Sequence, residues 1–325
     1  MAITQSHCSE VKNATLPLPT DSDQWHYTEW EKTVTSNGVV FNAKRLTKEK
    51  HVWLDYDGVV LKEEIIVAGE KVPTVDLPTG NEKWVYVEWD TTVSDGRHTY
   101  TAVRKPKASY FAGNVFQLVT KDADGVPIGT GSGFVINKDG WFVTNDHVMD
   151  QASSAIAFFD IKDAEIGDRY TQLRVLGGVF NSGEKDIFIG KLEGYEKIKM
   201  HYKEIDFTVE YETGEKSYAI GYPNSSVQME INEGVILEEY SDIYDKINGV
   251  YYVLSDSYIA PGSSGGILVN EDFQVIGITT IGLYMDENKQ IYRAGGSVPS
   301  FVFLSYLNCL EDAEIKDLTE IYIDN

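Results

Sequence analysis

The sequence predicts a mainly β protein, and three observations carry that reading. Short apolar or alternating runs recur along the chain: "GSGFVI" (131–136), "WFVTN" (141–145), "DIFIGKL" (186–192), "SYAIGYP" (217–223), "GVYYVL" (249–254) and "FQVIGITTIG" (273–282). Turn pairs punctuate the chain, among them Asn37-Gly38, Asp57-Gly58 and Asp95-Gly96, and alternation around such a pair is the strongest short-range hairpin signal. Helical periodicity is scarce. Its clearest stretch is "FLSYLNCLEDAEIKDLTEI" (303–321), where Leu307, Leu310 and Ile315 fall at roughly helical spacing. Many short strands with few helices argue for a barrel or a sandwich.

A chain of 325 residues, 42% hydrophobic, is long enough for two or three domains with buried cores. Its net charge of -23 argues against polyanionic partners, so no nucleic acid is expected, and the basic residues form no block beyond "KRLTKEK" (44–50). The acidity reads first as a well-solvated surface. No run approaches the ~18–20 apolar residues of a membrane span. The start of the chain lacks a charged segment followed by an apolar one, so the protein is expected to be either intracellular or a mature form. Cys8 and Cys309 lie near opposite ends, and their spacing makes no disulfide framework legible. His7, His26, His51, His98, His147 and His201 are scattered, with no pair at metal-ligand spacing. "DADG" (122–125) covers only part of a calcium-loop pattern and reads as a turn. No metal or cofactor is expected.

Residues 1–23 are rich in Ser, Thr, Asn and Pro and read as a flexible segment. An internal echo follows. "WHYTEWEKTV" (25–34) and "WVYVEWDTTV" (84–93) share Trp, Tyr, Glu, Trp, Thr and Val at matching places, and each leads through a turn pair into an alternating run. Between them, residues 51–72 read as two strands turning at Asp57-Gly58. These features resemble an internalin-B-type B-repeat (a Listeria–Bacteroides repeat): the turn at Asp57-Gly58, the step from Gly69 to Val72, Pro73 and Pro78, the aromatic stretch from Tyr86 to Trp89, and the strand from Thr99 to Ala102. The resemblance implies a small β-grasp-like module over 49–107, preceded by a truncated copy over 24–48. It also implies an extracellular spacer or adhesive role, with attachment to a cell surface or matrix. Alternating aromatics also suit a plain β core.

The stretch "YIAPGSSGGILVN" (258–270) raises the chemical question, because a serine between glycines suits either a turn or a nucleophile. Acyl transfer by serine needs an imidazole to take the hydroxyl proton, an acceptor to orient the imidazole, and backbone N–H donors facing the oxyanion. Flanking glycines serve that last need and leave room for substrate. Upstream, "GTGSGFVINKDGWFVTNDHVM" (129–149) places His147 at the end of an apolar strand after a tight turn.

Taken in order, "GTGSGFVI", "VTNDHV", "KDIFIGKL", "AIGYP", "DSYIAPGSSGGILVNEDFQVIGITT" and "AGGSVPSFV" resemble the segments of trypsin-like peptidases of the Deg/HtrA kind, over about residues 110–308. The resemblance implies a chymotrypsin-like double β-barrel over 108–308, with 309–325 as a tail. It implies Ser264 as nucleophile, His147 as general base and Asp186 as the group orienting it, with the N–H groups of Gly262 and Ser264 as the oxyanion pair. It sets Ser263 aside, since that place usually holds asparagine in the family. Asp206, in "EIDFTVEY", is the weaker candidate for the third member.

The same resemblance assigns the substrate pocket to Tyr258, Ile278, Thr279, Thr280, Gly295, Gly296 and Ser297. Tyr258 stands where enzymes that select Arg or Lys carry an acid, so small or apolar residues are expected before the cleaved bond. No PDZ-like segment is legible after Leu304. The expected function is a serine endopeptidase acting on proteins or peptides. Two alternatives are a catalytically silent binding or adhesion protein on a protease-like scaffold, and a glycan-binding N-terminal module with the peptidase secondary. The two resemblances together point to a secreted or surface protein, with a cytoplasmic one as the alternative.

Overall fold

A computed structural model describes residues 2–5, 17–36, 38–162, 170–182, 184–238, 252–287, 290–307 and 315. Cys8, Cys309, His7, Asn37 and Leu310 lie outside the described residues. The chain divides into two compact units, Met1–Lys107 and Ala108–Asn325.

In the first unit the strands are β1 (Ala2–Gln5), β2 (Trp25–Thr35), β3 (Gly38–Leu54), β4 (Val60–Val67), β5 (Trp84–Ser94) and β6 (Arg97–Pro106). Strand β3 is the hub. It runs unbroken through residues 48 and 49 and pairs with β1, β2 and β4 antiparallel and with β6 parallel. The echo seen in the sequence is a repeated hairpin. In β2–β3 the register jumps between Tyr27 and Glu29, and in β5–β6 it jumps at the matching place, between Tyr86 and Glu88. Each copy also lays an arginine over its first tryptophan: Arg45 lies 3.7 Å from the Trp25 ring centre and Arg104 lies 4.3 Å from that of Trp84. The guanidinium is drawn to the ring's negative face, which ties the open end of each hairpin. The β5–β6 turn puts both central residues at positive φ, Asp95 at 50° and Gly96 at 74°, the geometry that favours an Asp-Gly pair there.

In the second unit α1 (Ala108–Phe111) leads into β7 (Val115–Lys121), β8 (Pro127–Val135), β9 (Trp141–Thr144), α2 (Asp146–Met149), β10 (Ser154–Phe159), β11 (Thr171–Ser182) and β12 (Ile187–Leu192). These six strands close a barrel in the order β10-β11-β12-β9-β8-β7. A second closed barrel, β13-β14-β15-β18-β17-β16, is made by β13 (Lys216–Gly221), β14 (Glu230–Glu238), β15 (Val253–Ser255), β16 (Ile267–Asn270), β17 (Val275–Glu287) and β18 (Gln290–Pro299). The fold is therefore mainly β, with the chymotrypsin-like double barrel expected from the sequence.

Closing a small barrel forces its interior to be filled by side chains. Phe116, Phe142, Phe159 and Phe188 fill the first, all fully buried. Gly133 makes room for this packing, because a Cβ there would meet the Phe116 ring at 2.6 Å. Ala219, Ile236, Val253, Leu268 and Ile276 build the second core. Helix α3 (Ser300–Leu307) follows β18, and Phe303 packs edge-on against Phe134 of β8 and against Phe207. It starts three residues earlier than the helical stretch read from the sequence, and most of the remainder of that stretch falls outside the described residues. Phe116→Ala is expected to destabilise this unit by about 3–5 kcal/mol through lost burial and a cavity, read as a lowered urea midpoint.

Candidate active site

Strand β9 ends at Thr144, and the one-turn α2 follows immediately. Its Val148 and Met149 are buried, which leaves His147 pointing outward with its side chain 52% exposed. Asp186 sits in the turn just before β12 rather than within the strand, at φ 53°. Aspartate is among the few non-glycine residues that visit this left-handed region readily. The twist aims its carboxylate at His147: Oδ2 lies 2.8 Å and Oδ1 3.0 Å from Nδ1, and the His147 backbone N–H donates to Oδ1 at 2.9 Å. Asp186 is 7% exposed. Burial pulls the His147 pKa down, but the hydrogen bond and charge of Asp186, aided by the charge of Asp146, outweigh it and hold the value above the ordinary 6.5.

Asp206 is elsewhere. It is exposed, and its carbonyl accepts from Val275 N–H at 2.8 Å in the segment that joins the barrels.

The serine arrives on a tight turn. Pro261 and Gly262 occupy its centre, Ser263 N–H donates to Ala260 O at 2.8 Å, and Gly262 has φ 97°. Proline followed by a glycine at positive φ is the chemistry of a type II turn. Ser263 is consumed in that turn: its Oγ accepts from Ala260 N–H at 3.1 Å, and its carbonyl accepts from Thr279 Oγ1 at 2.6 Å. Ser264 Oγ donates to Thr280 O at 3.0 Å. Among the described residues no group engages the N–H of Gly262 or of Ser264.

One residue holds this turn against the first barrel. Ser132 of β8 is fully buried; its N–H donates to Ser264 O at 2.7 Å and its Oγ donates to Gly262 O at 2.7 Å. The same Oγ accepts from Tyr222 N–H at 2.9 Å, and the Ser132 carbonyl accepts from Thr144 Oγ1 at 2.6 Å. Gly265 lies so close that a Cβ there would collide with the Ser132 carbonyl and Thr144 Oγ1. A second link runs through Asn145, whose Nδ2 donates to Asp186 O and to Thr280 Oγ1, both at 2.9 Å. The Asp186 backbone and Ser264 are thus linked through Asn145 and Thr280, while among the described residues the Ser264 hydroxyl bonds Thr280 O and not His147. The sequence reading missed Ser132 and Asn145, although both stand inside motifs it quoted.

A cleft of about 320 Å³ opens beside Ser264, lined by Ile259, Ala260, Pro261, Ser263, Ser264, Thr280, Ile281 and Gly282. Of the pocket residues expected from the sequence, Thr280 lies on this cleft. Ile278 and Thr279 are buried inside the second barrel, and Ser297 pairs with Val253 and Thr279 in its sheet. Gly296 pairs with Leu254 and Ile281 in the same sheet. Gly295 packs under Ile259. Tyr258 is 44% exposed, with Asn224 Nδ2 donating to its hydroxyl at 3.3 Å. Burial along β17 runs from Val275 through Thr280, and the chain becomes exposed at Ile281 and Gly282, just past the register irregularity between Thr279 and Ile281.

Residues 131–278, which lie in the unit with the two closed barrels, match the family described as trypsin-like peptidase domain. Among curated proteins, the chain is 27% identical over 202 residues to "Serine protease HTRA3" of Homo sapiens, covering 61% of this chain and 42% of that protein. It is 30% identical over 191 residues to "Probable periplasmic serine endoprotease DegP-like" of Hahella chejuensis (strain KCTC 2396), covering 56% of this chain and 36% of that one. The chain thus matches well under half the length of these relatives. A solved structure of "HtrA-type protease AlgW with tripeptide" aligns at 21% identity and a TM-score of 0.49, covering 64% of each chain.

Two measurements check the geometry. By NMR titration His147 is expected to protonate with a midpoint above 6.5, and Asp186→Asn to move that midpoint down. Because the folded value is raised, the protonated ring stabilises the folded chain fully below the unfolded value and not at all above the folded one. Ser132→Ala strands Gly262 O and Tyr222 N–H in the interior, so a loss of about 1–3 kcal/mol is expected in chemical denaturation.

Proposed function

We propose that this protein is a serine endopeptidase that cleaves proteins or peptides through Ser264, His147 and Asp186. The observation that carries the reading is the His147–Asp186 pair, which is joined through Asn145 and Thr280 to the serine. Asp186 holds the proton on Nδ1 and so leaves Nε2 as the base. On this reading the Ser264 hydroxyl leaves Thr280 O for Nε2 when substrate binds, since catalytic contacts of this kind commonly tighten only then. The alkoxide attacks the scissile carbonyl as His147 takes the proton. The N–H groups of Gly262 and Ser264 receive the oxyanion, and the imidazolium returns its proton to the leaving amine. Water then hydrolyses the acyl-enzyme by the same route.

None of the eight residues lining the cleft carries a charge, which supports a small or apolar side chain before the cleaved bond. The bond from Ser264 Oγ to Thr280 O is the one observation that favours a silent scaffold instead. The likeness to periplasmic relatives supports an extracytoplasmic location, and the B-repeat resemblance supports attachment to a surface or matrix through the first unit.

Ser264→Ala is expected to lower kcat by about 10³–10⁶ and to abolish labelling by a fluorophosphonate. Equal labelling of wild type and variant removes Ser264 from the mechanism. Peptide-library profiling is expected to show small or apolar residues before the scissile bond, and a profile led by Arg or Lys contradicts the pocket assignment. The acid limb of kcat/KM is expected to have its midpoint above 6.5, since the base works only when neutral.

A further inference from the structure

The first unit holds a cluster that the peptidase reading does not use. Parallel pairing of β3 with β6 sets His51 opposite His98, residues whose separation in sequence conceals any relation. Their rings stack with centres 4.4 Å apart and planes 8° apart. Glu49 lies two residues before His51, on the same face of β3. We propose that Glu49, His51 and His98 bind one divalent transition-metal ion of the Zn²⁺ kind, through Glu49 Oε2 and the two Nε2 atoms. The pairing of β3 with β6 brings together in space two histidines that stand at no metal-ligand spacing in the sequence.

The three ligand atoms lie within 4.8 Å of one another. Glu49 Oε2 is 3.3 Å from His98 Nε2 and 3.8 Å from His51 Nε2. Donors around a tetrahedral Zn²⁺, with bonds of about 2.0–2.1 Å, are separated by about 3.3 Å. The glutamate and His98 are already at that spacing. His51 Nε2 has to close by about half an ångström on Glu49, and the two nearly parallel imidazoles have to tilt toward each other for both ring planes to meet at one ion. Two imidazoles and one carboxylate suit Zn²⁺ and its neighbours, whereas Ca²⁺ and Mg²⁺ require more oxygen ligands.

The independent observation is the state of His51. Its side chain is 2% exposed, and Nε2 has no hydrogen-bond partner among the described residues. A buried polar atom left in that condition is costly, and coordination relieves it. The other ring nitrogen is held: Nδ1 lies 2.9 Å from Tyr100 Oη. With Nδ1–H donating to that hydroxyl, Nε2 is left as the ring nitrogen with a free lone pair, the arrangement that outer partners of metal-bound histidines enforce. Tyr100 is itself fixed by stacking on Trp53 at 4.9 Å. His98 and Glu49 are 24% and 32% exposed, which gives an ion a route in and a water the fourth position. A bound ion staples the hub strand β3 to β6 across a junction that the sheet closes only with parallel hydrogen bonds.

The test is calorimetric titration of the metal-free full chain with Zn²⁺, repeated with Co²⁺ for its visible absorption. One ion per chain is expected, with Zn²⁺ raising Tm. Glu49→Gln, which leaves both rings in place, and His98→Gln are each expected to weaken binding about tenfold or more. His147→Ala is expected to keep the single ion, which separates this site from capture at the candidate active site and leaves the result independent of peptidase activity. No stoichiometric uptake by the wild type overturns the proposal, as does binding undiminished in either Glu49→Gln or His98→Gln, or lost in His147→Ala.

Discussion

Ser132 is the point from which the two barrels are measured against each other. A hydroxyl and two backbone polar groups in a fully buried position cost several kcal/mol if left unmatched. Here each is matched, and the partners come from both sides: Gly262, Ser264 and Tyr222 from the second barrel, Thr144 from the first. The strand that leads to His147 and the turn that carries Ser264 are therefore referenced to one residue. Gly131 and Gly265 are the steric counterpart of that arrangement. A Cβ at Gly131 would press on Val148, one residue past the histidine, and a Cβ at Gly265 would press on the Ser132 carbonyl. Rigid strands on either side and a fully bonded polar contact between them are what a site needs if its parts come from distant stretches of chain.

Electrostatics then divides the site into two regions. Asp186 is buried and accepts both a ring and a backbone N–H from His147, so its charge acts on the imidazole from short range. The imidazole itself stays open to solvent, with its side chain about half exposed. The cleft beyond Ser264 is lined by neutral residues and bounded by Ile259 and Ile281. Charge is thus concentrated behind the histidine and absent from the lining of the cleft beside Ser264. In a molecule carrying 51 acidic residues that separation comes from placement rather than composition.

The first unit follows a different logic, that of duplication. Its two hairpins share a register jump and an arginine laid over tryptophan, so the same local energetics stabilise both copies. What differs is their relation to β3. That strand belongs to the first hairpin at one end and pairs with β4 and β6 at the other, which makes a single sheet of what reads in sequence as one partial and one whole repeat.

Much of this was legible in the sequence because local chemistry carried it. The Asp95-Gly96 turn, the alternating strands and the order of the motif segments depend on residues close together in the chain. The sequence by itself determined a β protein with a histidine, an aspartate and a serine on successive segments. It did not determine what long-range pairing imposes. The cleft beside Ser264 takes its β17 lining from Thr280, Ile281 and Gly282, next to a register break that only the pairing with β18 sets. Ser132 reads as a spacer between glycines until the second barrel is brought against it. His51 and His98 read as isolated until two parallel strands, which no local signal pairs, lay one ring on the other. Tertiary structure decided these because each depends on which strands become neighbours, and that is settled by the closure of whole sheets.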